Sequence, residues 1–195
     1  AMVSNRERVS WAPCSLGLFM PLVGQFAAAD FTGCHPDYMC NPGTFGDLPN
    51  LTSPLECNAC TKGHYCAEHG LSAPTPCPIG TRMPATRASS IDSCMICGPG
   101  RFNAETGLGT SCGACPAGKY TEEDSASACS SCPRGGFCPN VGAASVSQTF
   151  VPCPAGFYNP TTGASSNASC VPCGAGTANP IPGSADAAAC SACTT

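Results

Sequence analysis

A six-residue phrase, Cys-x-x-Gly-x-aromatic, recurs through the chain and limits what it can fold into. It starts at Cys40 (C-N-P-G-T-F), Cys60 (C-T-K-G-H-Y), Cys77 (C-P-I-G-T-R), Cys97 (C-G-P-G-R-F), Cys115 (C-P-A-G-K-Y), Cys132 (C-P-R-G-G-F), Cys153 (C-P-A-G-F-Y) and Cys173 (C-G-A-G-T-A). Successive starts lie 17 to 21 residues apart. Six copies keep the aromatic (Phe45, Tyr65, Phe102, Tyr120, Phe137, Tyr158), whereas Arg82 and Ala178 depart from it. A period of about 20 residues is the mark of an array of small units.

A longer period overlies the first. Cys57, Cys60 and Cys66 recur as Cys129, Cys132 and Cys138. Cys77, Cys94 and Cys97 recur as Cys153, Cys170 and Cys173, and Cys112 and Cys115 as Cys190 and Cys193. Residues 57–128 and 129–195 therefore read as two cysteine-rich blocks related by internal duplication, behind an N-terminal cysteine-rich segment, 30–56.

Leu, Ile, Val and Phe together make 27 of the 195 residues, below the roughly 20% of an ordinary core. The 19 cysteines must therefore supply the order, by crosslinks or by metal. Lys and Arg number 8 against 12 acidic residues, with no basic run. That excludes the clustered cations nucleic acid requires.

From Val9 to Ala29 no residue is charged, Arg6 and Arg8 precede the stretch, and Ala27-Ala28-Ala29 resembles a small-residue cleavage site. Residues 1–29 read as a secretory signal peptide or as a retained apolar anchor over 9–29. An ordinary packed segment is the third reading. Cleavage after Ala29 would remove Cys14 and leave an even number of cysteines.

Past residue 40 the chain is punctuated by N-P-G, P-T-P, G-P-G and N-P turns, with no helical period. The expected fold class is a small disulfide-rich repeat array. It is an elongated rod of short β-hairpins and loops with little helix, its units each touching only their neighbours. A strand is expected over Gln148–Val151 and one helical turn over Ala185–Ala189. The glycine three after each cysteine is expected at positive φ in a tight turn. The aromatic two further on is expected to lie over a disulfide.

Six C-x-x-C pairs stand out: 57/60, 94/97, 112/115, 129/132, 170/173 and 190/193. The spacing suits zinc knuckles, redox dithiols or a disulfide array. The redox motif belongs at a helix start after a strand, which this pattern lacks, and the signal-like N-terminus favours disulfides. His64 has Gly136 at the matching place in the second block, which argues against a ligand or base, and His35 and His69 stand in no cluster. Glu122-Glu123-Asp124 reads as a solvated turn. No catalytic residue, cofactor or metal ligand is assigned. N-L-T at Asn50 and N-A-S at Asn167 are glycosylation acceptors if the chain enters the secretory pathway.

The phrase C-P-A-G-[KF]-Y, a Ser/Thr/Ala-rich loop and then C-x-x-C resembles the ephrin-receptor-like cysteine-rich repeats. It is also similar to the cysteine-rich modules of tumour-necrosis-factor receptors and to looser EGF-like arrays. The resemblance covers about residues 34–195 and implies spacing or protein binding rather than catalysis. The function expected is a non-enzymatic extracellular structural or protein-interaction module, secreted or on the cell surface, with an organelle lumen as a further location. Its partners are other proteins, among them a larger surface or membrane assembly. The alternatives are a small subunit of such an assembly anchored by residues 9–29, and a C-x-x-C thiol–disulfide oxidoreductase.

Two pairings remain open. A ladder joins each Cys-x-x-Gly cysteine to the next cysteine, from 40–57 and 60–66 to 173–190, and leaves Cys34 and Cys193 over. A crossed scheme, which resembles the pairing of the receptor modules, gives Cys34–Cys40, Cys57–Cys66, Cys60–Cys77, Cys94–Cys112, Cys97–Cys115, Cys129–Cys138, Cys132–Cys153, Cys170–Cys190 and Cys173–Cys193. The crossed scheme uses all 18 cysteines past Ala29, follows the duplication, and is the expectation carried forward.

Overall fold

Each phrase folds the same way, beginning with its glycine. Gly43, Gly63, Gly80, Gly100, Gly118, Gly135, Gly156 and Gly176 all have φ between +72° and +85°. Residues with a side chain reach that region only at a cost, so the third position after the cysteine selects glycine. In seven of the eight copies the next residue's N–H closes the turn on the carbonyl just after the cysteine, as in Thr44 to Asn41 (2.9 Å) and Lys119 to Pro116 (3.0 Å).

The computed structural model describes residues 15–18, 39–49 and 51–193. These divide into two compact units.

The first unit comprises the described residues up to Cys77 together with Met83–Cys94. Its two hairpins are antiparallel: β1 (Thr44–Phe45) with β2 (Asn58–Ala59), and β3 (His64–Tyr65) with β4 (Thr75–Pro76).

The second unit comprises Pro78–Arg82 and the described residues from Met95 onward. It holds six hairpins of the same form. They are β5 (Thr81–Arg82) with β6 (Met95–Ile96), β7 (Arg101–Phe102) with β8 (Gly113–Ala114), and β9 (Lys119–Tyr120) with β10 (Ser130–Ser131). Then come β11 (Gly136–Phe137) with β12 (Val151–Pro152), β13 (Phe157–Tyr158) with β14 (Val171–Pro172), and β15 (Thr177–Ala178) with β16 (Ser191–Ala192). The expectation of short hairpins with little helix holds.

One 3-10 turn forms at Ala187–Ala189, inside the stretch expected. Four others were not expected: Pro54–Glu56, Ile91–Ser93, Val146–Gln148 and Asn167–Ser169. Three of these four precede a hairpin-closing cysteine, whose N–H completes the turn, and Ser53 and Ser90 cap two of them with their hydroxyls. The strand expected over Gln148–Val151 is corrected: only Val151–Pro152 is extended. The N–H of Phe150 turns back to the Val146 carbonyl (2.8 Å), and Thr149 Oγ1 accepts from the Asn140 N–H (3.2 Å).

Within the charge-free stretch 9–29, the described residues Ser15–Leu18 form a tight turn. Gly17 has φ +81°, and Leu18 N–H closes a turn on the Ser15 carbonyl. Leu18 bridges Met39, and the Cys40 N–H bonds to the Gly17 carbonyl (3.0 Å). These are the repeat's own bonds, because Cys14-Ser-Leu-Gly-Leu-Phe is a ninth copy of the phrase hidden in the charge-free stretch. The rest of residues 1–29 lies outside the described residues.

Candidate functional site

The chain's chemistry-bearing residues are its cysteines, and among the described residues eight disulfides join them: Cys40–Cys57, Cys60–Cys66, Cys77–Cys94, Cys97–Cys112, Cys115–Cys129, Cys132–Cys138, Cys153–Cys170 and Cys173–Cys190. Their Cα atoms lie 5.6 to 6.1 Å apart, within the ordinary reach of the bond. This is the ladder, and the crossed scheme is corrected throughout. Cys57–Cys66, Cys60–Cys77, Cys94–Cys112, Cys97–Cys115, Cys129–Cys138, Cys132–Cys153, Cys170–Cys190 and Cys173–Cys193 do not form. Cys40 pairs with Cys57 rather than with Cys34, which lies outside the described residues, as does Cys14. Cys193 is a free, exposed thiol.

The physical reason lies in the C-x-x-C strands. The two middle residues of all six motifs are the second strand of a hairpin. Side chains alternate faces along a strand, so cysteines three apart point to opposite sides. One closes its own repeat and the other opens the next. The crossed scheme needs both to face forward. No C-x-x-C motif keeps a dithiol: both cysteines are bonded in five of the six, and at 190/193 Cys190 is bonded and Cys193 is single.

Cys66 and Cys138 mark a relocated bond. They stand six residues after the opening cysteine, where other copies carry Gly46, Met83, Asn103, Thr121, Asn159 or Asn179. Those two repeats close at this inner position instead, and the usual closing site holds Pro74 or Phe150.

The opening cysteines from Cys40 to Cys153 are wholly buried, whereas all six aromatics stay half-buried. Tyr65 packs against the cluster of Cys77, Met83 and Ala88, as Cys94 does, so its ring lies on the cluster that holds the next repeat's disulfide.

Successive repeats within each unit are joined by backbone hydrogen bonds at fixed places. In nine instances a cysteine N–H donates to the turn glycine carbonyl of the repeat before it, from Cys40 to Gly17 through Cys193 to Gly176. In seven, the turn glycine N–H donates to the residue six past the next opening cysteine, from Gly43 to Cys66 through Gly156 to Asn179. In six, the residue ten past an opening cysteine donates back to the previous opening cysteine's carbonyl, as Gly70 does to Cys40. Among the described residues this tenth position has positive φ, and Arg87 (63°) and Ser125 (56°) adopt it without being glycine.

Three asparagines escaped the sequence reading. Asn103, Asn159 and Asn179 are buried, and each Nδ2 donates to the first-strand carbonyl of the preceding repeat: Thr81 (2.7 Å), Gly136 (2.7 Å) and Phe157 (2.9 Å). Each Oδ1 accepts the N–H two residues on, from Glu105, Thr161 and Ile181. Their shared place, six after the opening cysteine, was the available signal.

Of the glycosylation candidates, Asn167 is exposed at the start of its 3-10 turn, and Asn50 lies outside the described residues. His64 Nδ1 lies 3.0 Å from the Lys62 carbonyl oxygen, His69 is exposed, and His35 lies outside the described residues. Among the described residues no group of His, Cys, Asp and Glu is placed to hold a metal ion. None of their helices is long and apolar enough to cross a membrane.

A recess of about 370 Å³ opens in the second unit beside the Cys97–Cys112 disulfide, lined by Arg82, Arg101, Ile96, Gly98 and Ser111. Arg101 Nη1 donates to the Cys112 carbonyl (3.2 Å), which holds its guanidinium at the rim.

Hairpins of two-residue strands in disulfide-bonded repeats, hydrogen-bonded in succession within each unit, define a cysteine-rich repeat module. Residues 100–148 match the family model described as tyrosine-protein kinase ephrin type A/B receptor-like. That segment is similar to the ephrin-receptor-like cysteine-rich repeat. No curated protein matches the chain.

Proposed function

We propose that the chain is a non-enzymatic extracellular structural or protein-interaction module, secreted or displayed at the cell surface. The observation that carries this reading is the disulfide ladder. Eight bonds take up sixteen of the seventeen described cysteines, and bonds of this density persist in oxidising compartments. The match at residues 100–148 supports the same compartment and a protein partner. A chain so poor in apolar residues needs these bonds to hold its shape, and catalytic turnover of one of them would open its repeat. Asn167, exposed on its turn, is the site proposed to carry an N-linked glycan in that compartment.

The test is expression through a secretory pathway, with intact mass measured before and after reduction and an insulin-reduction assay alongside. The expected result is at least the eight bonds of the described residues, a glycan mass lost in Asn167→Gln, and no turnover. A protein that folds fully in reducing cytosol with its thiols free, or that reduces insulin catalytically, overturns the reading.

A further inference from the structure

The recess beside Cys97–Cys112 sets two guanidiniums against one hollow. Arg82 stands where six of the eight repeats from Cys40 onward carry an aromatic, and there it pairs across the hairpin with Met95. Arg101 comes from the first strand of the next repeat and is held at the rim by the Cys112 carbonyl. No acidic side chain lines the hollow, although the chain is acidic overall, with 12 Asp and Glu against 8 Lys and Arg. Two like charges facing one hollow repel, and an anion between them relieves that repulsion and accepts their forked donors. Ser111 adds a hydroxyl, and a side chain added at Gly98 would meet nothing within 4 Å, so the backbone there is open to a ligand. Ile96, beside the arginines, is 57% exposed.

We propose that this recess docks an acidic side chain of a partner polypeptide. The carboxylate lies between Arg82 and Arg101, and an apolar neighbour covers Ile96. The inference rests on the reading of the chain as a protein-interaction module and names one of its contact points. A sulfated polysaccharide is the poorer fit, because it calls for a run of cations and the chain has none.

The experiment is fluorescence anisotropy of the full chain with a short fluorescein-labelled peptide of alternating glutamate and leucine. Inorganic phosphate and heparin are run as separate competitors. Saturable binding that weakens with rising salt is expected. Arg82→Gln and Arg101→Gln should each lower affinity about tenfold, the loss of one charge-assisted bond, and Arg82→Lys should restore part of it. An unchanged disulfide map confirms that each variant is folded. Equal binding by wild type and both Gln variants, or heparin or phosphate binding without peptide binding, overturns the proposal. A partner protein captured equally by wild type and the double variant also overturns it, while leaving the interaction-module reading intact.

Discussion

Asn159→Ala tests whether the buried asparagine is the polar fastening between repeats. Asn159 is completely buried. Its Nδ2 donates to the Gly136 carbonyl at 2.7 Å, and its Oδ1 accepts from the Thr161 N–H at 3.0 Å and from Thr161 Oγ1 at 2.8 Å. Alanine removes all three bonds. The Thr161 hydroxyl can rotate to another acceptor, but the Gly136 carbonyl and the Thr161 N–H are left without this partner. A buried polar group stripped of its partner costs about 1–3 kcal/mol; Gly136 is buried whereas Thr161 is exposed, so the expected loss is about 1–3 kcal/mol. The chain has little apolar burial to offset this. The assay is guanidinium unfolding at neutral pH with disulfides intact, backed by hydrogen exchange at Thr161. Asn167→Ala is the control: the same chemistry on an exposed turn should stay within about 0.5 kcal/mol. A loss for Asn159→Ala no larger than that of the control would refute the reasoning.

The two glycines Gly118 and Gly156 separate backbone strain from collision. Both have φ near +85°, but a Cβ on Gly118 would lie 2.3 Å from the Gly163 carbonyl oxygen, whereas one on Gly156 meets nothing within 4 Å. Gly156→Ala should lose about 1–2 kcal/mol and Gly118→Ala clearly more in guanidinium unfolding; equal losses would count against the close approach. Hydrogen bonds from the Thr52 N–H and hydroxyl hold the Glu56 carboxyl below its ordinary range. Its contribution to the turn is therefore present above the ordinary glutamate range and lost as pH falls through the lowered folded value, which the Thr52 amide shift should follow and Glu56→Gln should abolish. Truncation before Asp30 removes Gly17 and should speed hydrogen exchange at the Cys40 amide; unchanged protection there would show that the Gly17 turn does not seat on Cys40.

The repeated parts of this fold were the legible ones. Glycine three after each cysteine announced a turn because no other residue takes that φ cheaply, and each hairpin followed from it. The pairing was misread because counting favoured a scheme that used every cysteine, whereas strand geometry decides which way Cys57 and Cys60 point. Cys14-Ser-Leu-Gly17 went unseen because a charge-free stretch also reads as a leader or an anchor, and composition masked the phrase. Asn103, Asn159 and Asn179 occupy one position in three repeats only, and what makes that position matter is a carbonyl some 20 residues earlier. Arg82 was visible only as a departure from the aromatic pattern. Its juxtaposition with Arg101 depends on hairpin register, which no single repeat displays.

The ladder is tested most directly by proteolysis of the non-reduced protein and tandem mass spectrometry of the C-terminal disulfide-linked peptides. The structure predicts Cys173 joined to Cys190 and a thiol at Cys193 that reacts with iodoacetamide before reduction. A Cys173–Cys193 bond would contradict it.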